Sequence, residues 1–227
     1  MNVVVFASRK GGSGKSTLSA HLGAYANKPS RSCILIDADP QGSLTLWHKL
    51  RGAEAMPLRA GTRGIADIVK SAKKDGYDWA FIDTPPNMSS AAVEAIRAAT
   101  LVVIPARPTL FDLSAVAETI ETARQLRKPY AVVINAAPPK RNDQESPLVV
   151  EAREGLAKLK VPVWAGQITS RTTFSISLSS GEGAHEFDSA SYAAVEIAAL
   201  WSAIDKSVKA INGAYSAANA MHSRAAA

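Results

Sequence analysis

A chain of 227 residues with 47% hydrophobic content is long enough to bury one sizeable core, and its single cysteine, Cys33, excludes a disulfide framework and a cysteine-rich metal site. The formal net charge of +6 suits an anionic partner without identifying one. No apolar run approaches the roughly 20 residues of a membrane span. No basic leader with an apolar segment precedes the first strand-like run, so the expectation is a soluble cytoplasmic protein.

In chain order, short apolar runs rich in β-branched residues alternate with longer amphipathic segments. The strand-like runs are Val3–Phe6, Cys33–Ile36, Trp79–Ile82, Leu101–Ile104 and Ala131–Ile134, with another near Val161–Trp164. Each is almost continuously apolar, as strands covered on both faces must be; Cys33 is expected as a buried strand residue. The helices are expected at about 16–26, 64–74, 89–99, 112–127 and 147–160. Asp112 is the expected N-cap of the fourth, and Pro147 after Ser146 opens the fifth. Residues 51–64 hold an edge strand around Met56–Arg59, and 137–146 form a polar loop. A final helix at about 189–211 is followed by 212–227, expected as a flexible tail. The fold class is therefore α/β, a single domain over 1–211 with a mostly parallel sheet flanked by helices on both faces.

Between the first strand and the first helix lies KGGSGKST, residues 10–17. The ordinary phosphate-loop pattern is G-x-x-x-x-G-K-[ST]. Gly14, Lys15 and Ser16 satisfy its end, but Arg9 stands where the leading glycine belongs. Successive glycines, Gly11, Gly12 and Gly14, let backbone N–H groups turn inward on phosphate oxygens, and the following helix adds its positive end. Lys15 is expected to bridge the terminal phosphates of ATP or ADP, and Ser16 to offer its hydroxyl to Mg²⁺. Lys10, five residues before Lys15, has no evident work in its own loop.

KGGSGKST resembles the deviant Walker A motif of the ParA/MinD family of P-loop ATPases. The resemblance continues in IDADPQGS at 36–43, FIDTPP at 81–86, VVIPARPTLFDLSAV at 102–116 and ITSRTTF at 168–174, and it runs from residue 1 to about 205. It is greatest to short ParA proteins that partition plasmids or position cargo. The resemblance implies that Lys10 crosses to the nucleotide of a second subunit, tying homodimerisation to ATP. It gives the nucleotide site to Lys10, Gly11, Gly12, Ser13, Gly14, Lys15, Ser16 and Thr17. Asp83 ends an apolar strand and resembles the Walker B aspartate that holds Mg²⁺ through water. Asp37 and Asp39 leave the second strand two residues apart and point the same way. By the resemblance Asp39 orients the attacking water and Asp37 supports the metal. Asn135 ends the fifth strand, where an amide can both donate to and accept from adenine, and Thr169 lies in the segment that resembles the family's purine loop.

The working surface is expected to be DNA. The stretch after Lys209 carries only Arg224 as a charge and lacks the basic amphipathic pattern of a membrane-docking tail. Arg171, Lys206, Lys209 and the pair Lys140 and Arg141 are the candidate DNA contacts, giving non-specific binding on the nucleoid. A ParB-like or cargo adaptor protein is expected to stimulate slow, Mg²⁺-dependent hydrolysis. Two alternatives stay open: a nucleotide-sensing interaction protein with little hydrolysis, and a MinD-like ATPase on a membrane surface. A cluster-bearing relative of the nitrogenase iron protein is excluded, because Cys33 alone cannot supply the ligands.

Overall fold

The computed structural model describes residues 1–52 and 56–225. Six parallel strands form one sheet: β1 (Asn2–Phe6), β2 (Cys33–Asp37), β3 (Leu58–Ala60), β4 (Trp79–Asp83), β5 (Leu101–Ala106) and β6 (Tyr130–Ile134). Their order is β3-β2-β4-β1-β5-β6, which puts β1 between β4 and β5. Helices connect them: α1 (Lys15–Ala26), α2 (Ser43–Arg51), α3 (Ile65–Lys74), α4 (Ser90–Ala98), α5 (Leu110–Gln125) and α6 (Pro147–Lys158). Then come α7 (Thr172–Ser179), α8 (Ala184–Phe187) and α9 (Tyr192–Ala225).

The almost unbroken apolar strands are buried on both faces because successive side chains alternate between two cores. Val4, Phe6, Leu35, Phe81 and Val103 face the layer that includes α1, α2, α7, α8 and α9. Val5, Ile34, Ile36, Ile82, Ile104 and Ile134 face the layer of α3, α4, α5 and α6. In the first core Trp201 of α9 meets Trp79 edge-on with ring centroids 4.8 Å apart, and Arg31 lies over the Trp201 ring. Cys33 is buried, and burial pushes its thiol up to about 12.

Register carries the strand ends to the functional edge. Phe6 pairs with Asp83 across β1 and β4, and Asp37 pairs with Asp83 across β2 and β4. Two carboxylates and the start of the glycine loop therefore share one row at the carboxyl edge, where parallel sheets bind ligands.

Several expectations change. The edge strand is Leu58–Ala60 rather than Met56–Arg59. Val161–Trp164 forms only a parallel bridge, Val163 with Val132. Arg153 draws the carbonyls of Trp164, Ala165 and Gly166 to its guanidinium, so these groups do not extend the ladder. Thr109, not Asp112, caps α5, its hydroxyl accepting from the Asp112 N–H. Asp112 sits three residues inside and accepts from the Thr109 hydroxyl, because the turn begins earlier than the apolar stripe. Ser146 caps α6 with Pro147 in its first turn, as expected. The last helix starts at Tyr192 and continues to Ala225, so 212–225, expected as a tail, is helical. The alanine-rich sequence there favours helix, and Gly213 alone costs only about 1 kcal/mol.

His21 on α1 is a buried neutral imidazole. Its Nδ1 accepts from the Ala184 N–H at 3.1 Å, and its ring lies 5.1 Å from that of Phe174. Burial pushes its pKa down to about 4. Between that value and the ordinary 6.5 the unfolded chain binds more protons than the folded one. The neutral ring's contribution is thus complete above about pH 6.5 and is lost as pH falls towards 4, by about 3 kcal/mol in all. Urea unfolding at pH 7 and pH 4.5 should show His21→Gln losing less stability over that interval than the native chain. Equal losses would contradict this account.

Candidate functional site

The glycine loop leaves β1 and enters α1 at the carboxyl edge. Gly12 and Gly14 hold φ values of 70° and 97°, the left-handed region that glycine enters without steric cost. Gly14 has a second constraint from Asn135 at the end of β6. Asn135 Nδ2 donates to the Ser13 carbonyl at 2.6 Å and lies only 2.0 Å from where a Cβ on Gly14 would be. The buried Asn135 side chain therefore braces the loop, and it is not among the residues lining the cleft.

The loop borders a cleft of about 440 Å³ whose lining includes Gly11, Gly12, Gly14, Lys15, Ser16, Thr17, Asp39 and Arg107. Lys15 is buried, and its Nζ donates to the Lys10 carbonyl at 3.3 Å. Burial lowers its pKa, with the carboxylates of Asp83 and Asp39 partly opposing that shift. Ser13 is buried with its hydroxyl unpartnered. Lys10 is exposed and outside the cleft lining, its N–H held by Ser8 Oγ at 3.3 Å.

The three aspartates have three environments. Asp83 is fully buried, and neither carboxylate oxygen holds a hydrogen bond in full geometry. Burial pushes it up to about 7; the nearby Ser16 side chain and Lys15 pull the other way. Such an orphaned carboxylate beside a serine fits a hard divalent cation held by Ser16 Oγ and, through water, by Asp83. Asp39 is half-buried in the cleft wall and accepts from the Gln41 N–H at 3.0 Å. Asp37, expected at the metal, is engaged elsewhere. Its oxygens accept from the Asp39 N–H at 3.2 Å, the Thr45 N–H at 2.8 Å and the Thr45 hydroxyl at 2.6 Å. Because α2 begins at Gly42, which has no side chain to cap it, Asp37 serves that helix start from β2.

Thr169 lies away from this cleft. It lines a second cavity of about 600 Å³ with Gln167, Arg171, Tyr192 and Glu196, and its hydroxyl accepts from Gln167 Nε2 at 3.1 Å. Of the candidate DNA contacts, Arg171 and Lys140 line this same cavity. Arg171 is half-buried and pairs with Glu196 at 2.9 Å, so its charge is compensated. On α9, Lys206 and Lys209 lie about 15 and 20 Å beyond Glu196 by helical rise, and Lys209 pairs with Asp205. Lys140 and Arg141 are exposed on the 137–146 loop. Sequence reasoning passed over Arg107 and Trp47 in the cleft wall; a cation directly following a strand beside β1 was the available signal. No helix among the described residues is long and apolar enough to cross a membrane.

Residues 4–184 match the family profile described as the CobQ/CobB/MinD/ParA nucleotide binding domain. Protein ParA of Rhizobium radiobacter is 29% identical over 202 residues, covering 83% of this chain and 87% of that protein. Maintenance of carboxysome distribution protein A of Gloeobacter kilaueensis is 36% identical over 123 residues, covering 53% of this chain and 56% of that protein. This chain thus spans little more than half the length of that relative. The fold is similar to septum site-determining protein MinD of Pyrococcus horikoshii, solved with Mg-ADP, at TM-score 0.75 and 17% identity, covering 92% of this chain and 98% of that one. A single α/β domain with the glycine loop on its central strand, matched over residues 4–184, makes this chain a member of the CobQ/CobB/MinD/ParA nucleotide-binding family.

Proposed function

We propose that this chain is a ParA-type ATPase that binds Mg²⁺–ATP in the glycine-loop cleft, dimerises in that state and hydrolyses it slowly until a partner accelerates turnover. The observation that carries the reading is the cleft itself: a buried Lys15, the orphaned Asp83 carboxylate beside Ser16, and Asp39 in one wall. Lys15 and the loop N–H groups bind the phosphates and hold them in line for attack. Mg²⁺, when bound by Ser16 and water-linked to Asp83, would neutralise phosphate charge. Asp39 orients the attacking water and accepts its proton. Lys10, exposed and outside its own cleft, is free to reach the nucleotide of a second copy. Residues 1–211 form the ATPase domain in this reading, and Asn135 acts through the loop it braces.

The dimer works on DNA without sequence preference, with Lys206, Lys140 and Arg141 as the most available cations and Arg171 and Lys209 already paired within the chain. The relative named for carboxysome distribution supports a role in positioning cargo, through an adaptor of ParB type.

Asp39→Ala is the decisive variant. It should bind ATP, release phosphate at least about a hundredfold more slowly, and sediment as a dimer with ATP but not ADP. Its ATP form should retard duplex DNA at low salt and lose it steeply as salt rises. Normal phosphate release would remove Asp39 from catalysis. A monomer with ATP would refute the dimer, and equal DNA retention with ATP and ADP would refute the coupling.

A further inference from the structure

Arg107 follows β5, and β5 pairs with β1, so its chain leaves the sheet at the same edge as the glycine loop. Its side chain lines the loop cleft with Lys15, Ser16 and Asp39. Nη2 lies 3.1 Å from where a Cβ on Gly12 would stand, so the guanidinium rests against the middle of the loop. The backbone is held for this. The Arg107 N–H donates to Asp112 Oδ1 at 3.5 Å, and its carbonyl accepts from the Thr109 N–H at 2.8 Å, between Pro105 and Pro108.

The guanidinium itself has no ion-pair or hydrogen-bond partner among the described residues. Arg51, Arg59, Arg153 and Arg171, by contrast, each face a carboxylate, as does Arg9 with Glu118. An unpaired planar fork in the wall of a phosphate cleft matches the bidentate geometry of a phosphate oxyanion. Even with Mg²⁺ bound, Lys15 alone leaves a triphosphate with residual negative charge that a second cation in the cleft would meet.

We propose that Arg107 binds the phosphate chain of the nucleotide held in its own subunit, as a second cation beside Gly12. The proposal rests on the reading of the cleft as an ATP site, and the test separates the two. A non-hydrolysable ATP analogue with Mg²⁺ is titrated calorimetrically into the native chain, Arg107→Ala and Arg107→Lys, at concentrations where sedimentation gives monomers. Arg107→Ala should weaken binding by at least about tenfold, as expected when one charge-assisted hydrogen bond is removed, and Arg107→Lys should recover part of it. Since the side chain is exposed and unpaired, the thermal midpoint without nucleotide should not move.

Affinity of Arg107→Ala within about twofold of a native chain that binds overturns the Arg107 assignment and leaves the cleft reading standing. No binding by the native chain overturns both. A weakening seen only in samples that sediment as dimers would assign Arg107 to the face between subunits and overturn the assignment to its own nucleotide.

Discussion

Lys15→Met should abolish measurable nucleotide binding while leaving the nucleotide-free fold as stable as before, or more so. Lys15 is buried in the loop, and burial lowers its pKa, so the ammonium is held at an energetic cost that a nucleotide's phosphates would offset. Its hydrogen bond to the Lys10 carbonyl, at 3.3 Å, is long. Methionine keeps most of the volume and removes the charge. Removing two charge-assisted hydrogen bonds to phosphate, at about 1.5–3 kcal/mol each, weakens ATP binding by a factor on the order of 10²–10⁴. Fluorescent-nucleotide titration gives the affinity and urea unfolding the stability. Retained affinity would remove Lys15 from the phosphate site, whereas an unfolded variant would mean that the ammonium is structural.

Gly14→Ala should disable the loop through two independent costs. An alanine at φ 97° sits in the left-handed region, which costs about 1–2 kcal/mol. Its Cβ would fall 2.0 Å from Asn135 Nδ2, so Asn135 must move and surrender its 2.6 Å bond to the Ser13 carbonyl. Breaking that buried bond adds about 1–3 kcal/mol. We expect a total destabilisation of about 2–5 kcal/mol from these terms, with nucleotide affinity abolished because the loop N–H groups no longer converge. Asn135→Ala in the same chain removes the collision but not the backbone strain. The double variant should therefore be less destabilised than the sum of the two single variants. Strict additivity would refute the collision.

Local chemistry made much of this legible. Strands buried on both faces must be apolar throughout, so five of the six could be read from composition alone, and most of the longer helices could be placed in the segments between them. The glycine loop could be read because its function needs backbone freedom and a lysine at fixed spacing, which are local properties. β3 was placed within two residues; α7 carried little apolar stripe and α8 is a single turn, whereas α2, with Leu44 and Trp47 buried, carried as much stripe as α6 and was not read. The length of α9 was missed because a lone Asn-Gly pair looks like a stop, though it cannot outweigh the alanines around it.

What the chain alone could not decide was where side chains separated in sequence meet. Asp37 and Asp83 both end apolar strands and look alike. Register sets them side by side, yet Thr45 takes up one and burial isolates the other. Asn135 reads equally well as a base contact, and only the crossing of β6 beside the loop commits its amide to Ser13. Arg171 looked like a free cation until Glu196, twenty-five residues on, paired with it. Within the 102–116 stretch nothing local sets Arg107 apart; the β1–β5 pairing carries it to Gly12. Residue type and spacing determine which chemistry is available, because that depends on neighbours along the chain. Which groups remain unpaired, and so able to meet a ligand, is decided by contacts that exist only once the sheet has formed.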